Sequence, residues 1–150
     1  MLKIGCAILS IWTVLNLIPS AFILVDTVFL DGHSPGFYLL LTEEEVGSLE
    51  PDVVATMDSI AVFANGLNIA FCLVSLFTIW CGLIRGQKWA FWGLLAGFTF
   101  AVLAGVGADY EVGLAAPMVN VISAGILATG FVCVAIGLFV RGATAQGKTQ

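Results

Sequence analysis

The sequence predicts an all-α fold: a four-helix transmembrane bundle with both termini cytoplasmic and a long external loop between helices 1 and 2. Three observations predict it. The chain is 60% hydrophobic with a mean hydropathy of +1.08, and only 10% of its 150 residues are charged, against roughly 25% in soluble domains. Its apolar residues gather into four uncharged stretches, Ile4–Val25, Ser59–Ile84, Trp89–Ala108 and Val112–Val140, of 22, 26, 20 and 29 residues. Its charges are segregated between the connections. A helix needs about 20 residues to cross a hydrocarbon core of about 30 Å. Helices satisfy their own backbone there, and the alternating pattern of a lipid-facing barrel is missing. The whole chain, 1–150, reads as a single four-span domain, with helices over about 4–25, 52–84, 89–108 and 116–140 and an external segment over 26–58.

Span 1 follows Lys3 and contains Pro19-Ser20-Ala21, which resembles a signal-peptide cleavage region. Its 22 uncharged residues exceed the h-region of about 7–15 residues, so it is expected to remain as an uncleaved helix. Pro19 cannot donate to the carbonyl of Leu15, which predicts a kink nearby. Asn16, close to mid-membrane, is expected to hydrogen-bond across helices.

The segment between spans 1 and 2 holds eight of the ten acids: Asp26, Asp31, Glu43, Glu44, Glu45, Glu50, Asp52 and Asp58. Asp31-Gly32-His33-Ser34-Pro35-Gly36 reads as a turn, and Phe37–Leu41 as an interfacial dip. Thr42-x-x-Glu45 has the capping-box pattern, and Pro51 suits a helix start leading into span 2. The acidic run lacks the alternating oxygen ligands and central glycine of a calcium loop, and reads as a solvated helix start.

Span 2 carries a polar stripe, Asp58, Asn65, Asn68, Cys72 and Ser75, whose spacing puts it on one helical face turned inward. Arg85-Gly86-Gln87-Lys88 joins spans 2 and 3 as antiparallel neighbours. Span 3 has Gly93, Gly97, Ala101 and Gly105 in one four-residue row. Span 4 opens near Pro117 and has Gly125, Thr129, Cys133 and Gly137 in another. Small residues let helices approach closely in lipid, so these rows are candidate contacts inside the bundle or between protomers.

All five bases, Lys3, Arg85, Lys88, Arg141 and Lys148, fall on one side of a four-span layout, which the positive-inside rule makes cytoplasmic. The remaining acids, Asp109 and Glu111, fall on the other side with the first eight. Trp80, Trp89 and Trp92 suit the inner interface; Phe37, Tyr38 and Tyr110 suit the outer one. The expected location is the cell membrane, the inner membrane in a bacterium.

Counting outward from the inner helix ends puts Asp26, Asn65, Asp109 and Asn120 at one height, near the outer edge of the hydrocarbon. Asn68 and Ser123 sit about one turn deeper. Polar helix ends at an interface account for this simply. The sharper reading is a polar vestibule open to the outside, with Asp26, Asn65, Asn68, Asp109 and Asn120 as candidate ligand-binding residues.

Other chemistry is thin. His33 is the only histidine and reads as an exposed loop residue. The cysteines Cys6, Cys72, Cys81 and Cys133 form no CxxC and read as buried apolar thiols. No metal, haem, phosphate-loop or nucleophile motif is present, so no cofactor, metal or catalytic residue is expected. Five dispersed bases exclude a nucleic-acid stripe. The hairpin Arg85-Gly86-Gln87-Lys88-Trp89-Ala90-Phe91-Trp92 resembles one common in small bacterial four-span proteins, including those called DoxX-like. That resemblance implies the four-span layout and carries no functional residue.

The expected role is a non-enzymatic membrane protein in contact with lipid and with itself or another membrane protein, as an oligomer or a small subunit of a complex. The alternative is a small transporter, channel or lipophilic-ligand binder.

Overall fold

The computed structural model describes residues 1–30, 32–34, 42–112 and 117–140; the side chains of 43, 108–112 and 117–120 are not among those described. Every regular element among the described residues is helical: α1 (Leu2–Phe29), α2 (Glu43–Gly47), α3 (Pro51–Cys81), a 3-10 turn (Leu83–Arg85), α4 (Lys88–Val112) and α5 (Pro117–Ala135), which ends in a π turn (Ile136–Val140). Four stretches are long and apolar enough to cross a membrane: Leu2–Phe29, Pro51–Arg85, Lys88–Gly107 and Val121–Val140. The all-α class with four helices able to span a membrane is therefore as the sequence predicts.

Helix ends differ from the sequence reading in informative ways. α1 continues through Pro19 and past Asp26, so Asp26 belongs to a helix rather than to the loop, whereas α3 begins at Pro51 and includes Asp58 as the sequence predicts. α4 extends to Val112 and so includes Asp109 and Glu111. Thr42 does cap α2: its hydroxyl accepts from Glu45 N–H at 3.3 Å, while its own N–H donates to Glu45 Oε2 at 2.8 Å. The Thr42 N–H, with help from its hydroxyl, holds the Glu45 carboxyl below the usual carboxylate range. Asp31, the Phe37–Leu41 dip and the connection before Pro117 lie outside the described residues, as does the terminal segment with Arg141 and Lys148.

The chain divides into two compact units, Met1–Thr13 with Val74–Gln150, and Val14–Leu73. The first is built around an aromatic ladder. Trp12 of α1 meets Phe98 of α4 edge to face at 5.1 Å, Phe98 meets Phe131 of α5 at 5.9 Å, and Phe91 bridges Phe131 at 5.8 Å and Phe139 at 5.6 Å. Such contacts stabilise beyond mere burial, which matters where lipid is as apolar as the core. Beside the ladder, α1 and α5 touch through glycines. A Cβ on Gly5 would lie 2.7 Å from the Gly130 carbonyl oxygen, one on Gly130 2.8 Å from Leu9 Cδ2, and one on Gly137 2.6 Å from Leu2 N.

The turn between α3 and α4 is equally tight. Gly82 has Ala90 Cβ 2.8 Å from where its own Cβ would sit, and Gly86 adopts the left-handed φ of 77° that glycine tolerates best.

The second unit holds the rest of α1, α2 and the first part of α3. Ile23, Val46 and Ala61 are buried in it, together with the polar Ser20 and Asn65. Outward faces throughout are apolar, as Phe63 at 69% and Phe100 at 77% exposure illustrate. Hydroxyls on those faces need no lipid-borne partner. Thr99 and Thr129 donate to carbonyls four residues back, at 2.7 and 2.8 Å. All four cysteines are free, but only Cys6 and Cys72 are buried; Cys81 is exposed, against the expectation of four buried thiols. It sits at the last position of α3, where the turn carries the chain away.

Candidate functional site

The polar face of α3 is turned inward. Asn65, Cys72 and Ser75 are all buried, at 5%, 1% and 2% exposure. An amide in this environment must find partners. Asn65 Nδ2 donates to the Ala61 carbonyl at 2.8 Å, and Asn68 Nδ2 donates to Ser20 Oγ of α1 at 2.7 Å. The Asn68 side-chain oxygen Oδ1 in turn lies 4.0 Å from Cys72 Sγ. Ser20 follows Pro19, and both sit on α1 within the second unit. The Asn68–Ser20 bond ties α1 to α3 there.

Further along the same two helices, two aspartates hold the start of the connecting segment, Asp58 through its carboxylate and Asp26 through its backbone carbonyl. Asp58 on α3 accepts from His33 Nδ1 at 3.0 Å through one oxygen and from Ser34 N–H at 2.7 Å through the other. Asp26 on α1 accepts through its carbonyl from Gly32 N–H at 3.2 Å, and its carboxylate occupies the space a Cβ on Gly32 would need. Gly32 is thus fixed by close approach. His33, read from sequence as an exposed loop residue, is 54% exposed in its side chain and is bonded to Asp58. Ser34 is almost wholly buried, and its hydroxyl has no partner among the described residues.

No known protein family, curated protein or solved structure matches the chain. Its chemistry therefore has to be read from its own residues.

Of the five candidate vestibule residues, Asp26, Asn65 and Asn68 belong to the second unit, where Asn68 joins the two helices and Asn65 bonds along its own. Asp109 and Asn120 stand on α4 and α5, with side chains outside those described. Among the described residues no group of three metal-ligating side chains comes together. What the arrangement supplies is a part-buried, hydrogen-bonded seam and a clasp by the Asp58 carboxylate on the connecting segment.

Three of the candidate packing glycines differ in their surroundings. Gly137 is closed against Leu2, whereas Gly93 and Gly125 have nothing within 4 Å of an added Cβ. Sequence reasoning missed Gly5, Gly82 and Gly130. Gly130 and Gly137, seven apart with Val134 between, carried a usable signal, because two helical turns return them to one face. For His33–Asp58 there was none, since the pair is 25 residues apart.

Proposed function

We propose that this chain is a non-enzymatic integral membrane protein acting as an oligomer or as a small subunit of a larger membrane complex. The split among its glycines carries this reading. Gly5, Gly82, Gly130 and Gly137 are consumed by contacts within the chain, while Gly66, Gly93, Gly107 and Gly125 stand open on helices. Glycine costs a helix about 1 kcal/mol relative to alanine. Open glycines on spanning helices suit close approach by another helix, the contact that small residues favour in lipid. Disulfide trapping through cysteines placed beside Gly93 and Gly125 tests it: efficient cross-links between chains in native membranes support the reading, and their absence at every position along both faces counts against it.

The second reading is a small transporter, channel or lipophilic-ligand binder whose vestibule uses Asp26, Asn65, Asn68, Asp109 and Asn120. The part-buried Asn68–Ser20 bond favours it, because polar groups within a bundle commonly line a path or pocket. Ion or ligand binding unchanged by Asp109→Asn and Asn68→Leu together removes it.

In both readings the bases lie on the cytoplasmic side of the cell membrane, with both termini there, following the sorting of Lys and Arg. Maleimide labelling in intact cells checks this: Glu44→Cys is expected to react and Gln87→Cys to be protected. The reverse pattern overturns it.

A further inference from the structure

We infer that the basic end of the first unit is a docking surface for anionic phospholipid headgroups, centred on Arg85 and Lys88. The structure gathers three chain segments there. A Cβ on Gly137 would meet Leu2, one on Gly86 would sit 3.8 Å from Leu138 Cδ2, and Lys88 Nζ stands 5.5 Å over the Phe139 ring. The segments carrying Lys3, Arg85 and Lys88 consequently all meet the π turn that ends α5, and all three side chains are exposed. The turn presenting them is hydrogen-bonded from within, with Gly86 N–H on Leu83 O at 2.9 Å and Gln87 N–H on Gly82 O at 3.2 Å. It is a fixed mount for two charges.

Among the described residues no carboxylate pairs with them. The one ion pair among the described residues is His33–Asp58, in the other unit. The acids of this unit, Asp109 and Glu111, begin 21 residues along α4 from Lys88, about 30 Å away at the helical rise. Trp80, Trp89 and Trp92 ring the same end at 55%, 63% and 59% exposure. Amphipathic rings at that exposure settle at headgroup depth, which brings lipid phosphates level with Arg85 and Lys88. Arginine pairs with phosphate through two N–H groups, and lysine binds it as a point charge. The occupant is therefore a membrane lipid with net negative charge, not a soluble anion. The inference is independent of whether the protein assembles with itself.

Tryptophan fluorescence tests it on the full chain in vesicles. Brominated phosphatidylglycerol should quench more strongly than brominated phosphatidylcholine at equal mole fraction. Each charge removed should lower the relative binding constant about fivefold, so Arg85→Gln with Lys88→Gln brings the two lipids close to parity. Exchanging the charges, Arg85→Lys with Lys88→Arg, should keep the preference, and high salt should weaken it. The inference is overturned if the wild type shows no preference, if the doubly neutral variant keeps it in full, or if millimolar inorganic phosphate abolishes it. The wild-type comparison decides the matter even if the neutral variant fails to fold.

Discussion

Alanine at Gly5 is the most searching perturbation of the α1–α5 contact. Its Cβ would lie 2.6 Å from Val134 Cγ2, 2.7 Å from the Gly130 carbonyl oxygen and 2.8 Å from Val134 N. Carbon contacts are comfortable from about 3.5 Å, so the overlap is about 0.7–0.9 Å. Val134 Cγ2 belongs to a side chain and can rotate aside. The other two atoms are helix backbone, so relief requires α1 to move off α5, which loosens Leu9 against Gly130 and Leu2 against Gly137. Overpacking of this kind costs about 1–3 kcal/mol, and rigid neighbours place it in the upper part of that range. Alanine's helix preference offsets roughly 1 kcal/mol, leaving a net loss of about 1–2 kcal/mol. The same change at Gly93 or Gly125, where nothing lies within 4 Å, brings only the propensity gain to the single chain. Pulsed thiol labelling of Cys6, which is 1% exposed, reports the opening of this contact during detergent titration. Gly5→Ala should be labelled at lower denaturant than the wild type, and Gly93→Ala at the same or higher. A Gly5→Ala protein as resistant as the wild type would refute the packing described.

Other outcomes follow from the same contacts. Phe98→Ala, at 1% exposure between Trp12 and Phe131, should cost about 3 kcal/mol, whereas Phe100→Ala, 77% exposed, should stay within about 0.5 kcal/mol; the same thiol assay ranks them. Asp58→Ala strips the acceptor from the Ser34 N–H and should open the clasp by about 1–3 kcal/mol, while His33→Ala, which removes one half-exposed partner, should cost under about 1 kcal/mol; amide exchange at Ser34 separates the two. The Glu45 carboxyl is held below its ordinary range by Thr42. It therefore supports the start of α2 above the unfolded carboxylate pKa, and that support is lost as pH falls through the lowered folded value. The protection of the Glu45 and Val46 amides, corrected for intrinsic exchange, should fall on acidification; Glu45→Gln should abolish that pH dependence, and Thr42→Ala, which keeps the backbone donor, should only weaken it.

The spans were evident from sequence because lipid imposes one strong constraint: about 20 apolar residues per crossing with no charge among them. The capping box and the start at Pro51 were equally open to reading, being local patterns of three or four residues. The inward face of α3 followed from helical periodicity, and Asn65, Cys72 and Ser75 are buried as the spacing predicts. Contacts between distant segments were not accessible in this way. Which glycine meets a neighbour depends on how each helix is rotated, and the row containing Gly125 and Gly137 has one open and one closed member. The His33–Asp58 bond joins residues separated by a whole loop, and no periodicity encodes such a pairing.

The mass of the particle extracted from native membranes in a mild detergent tests assembly most directly. The expected result is a discrete multiple of the 15.8 kDa chain, or that chain with defined companions, reduced to a single copy by Gly93→Leu with Gly125→Leu. A wild-type particle holding one chain and no partner contradicts it.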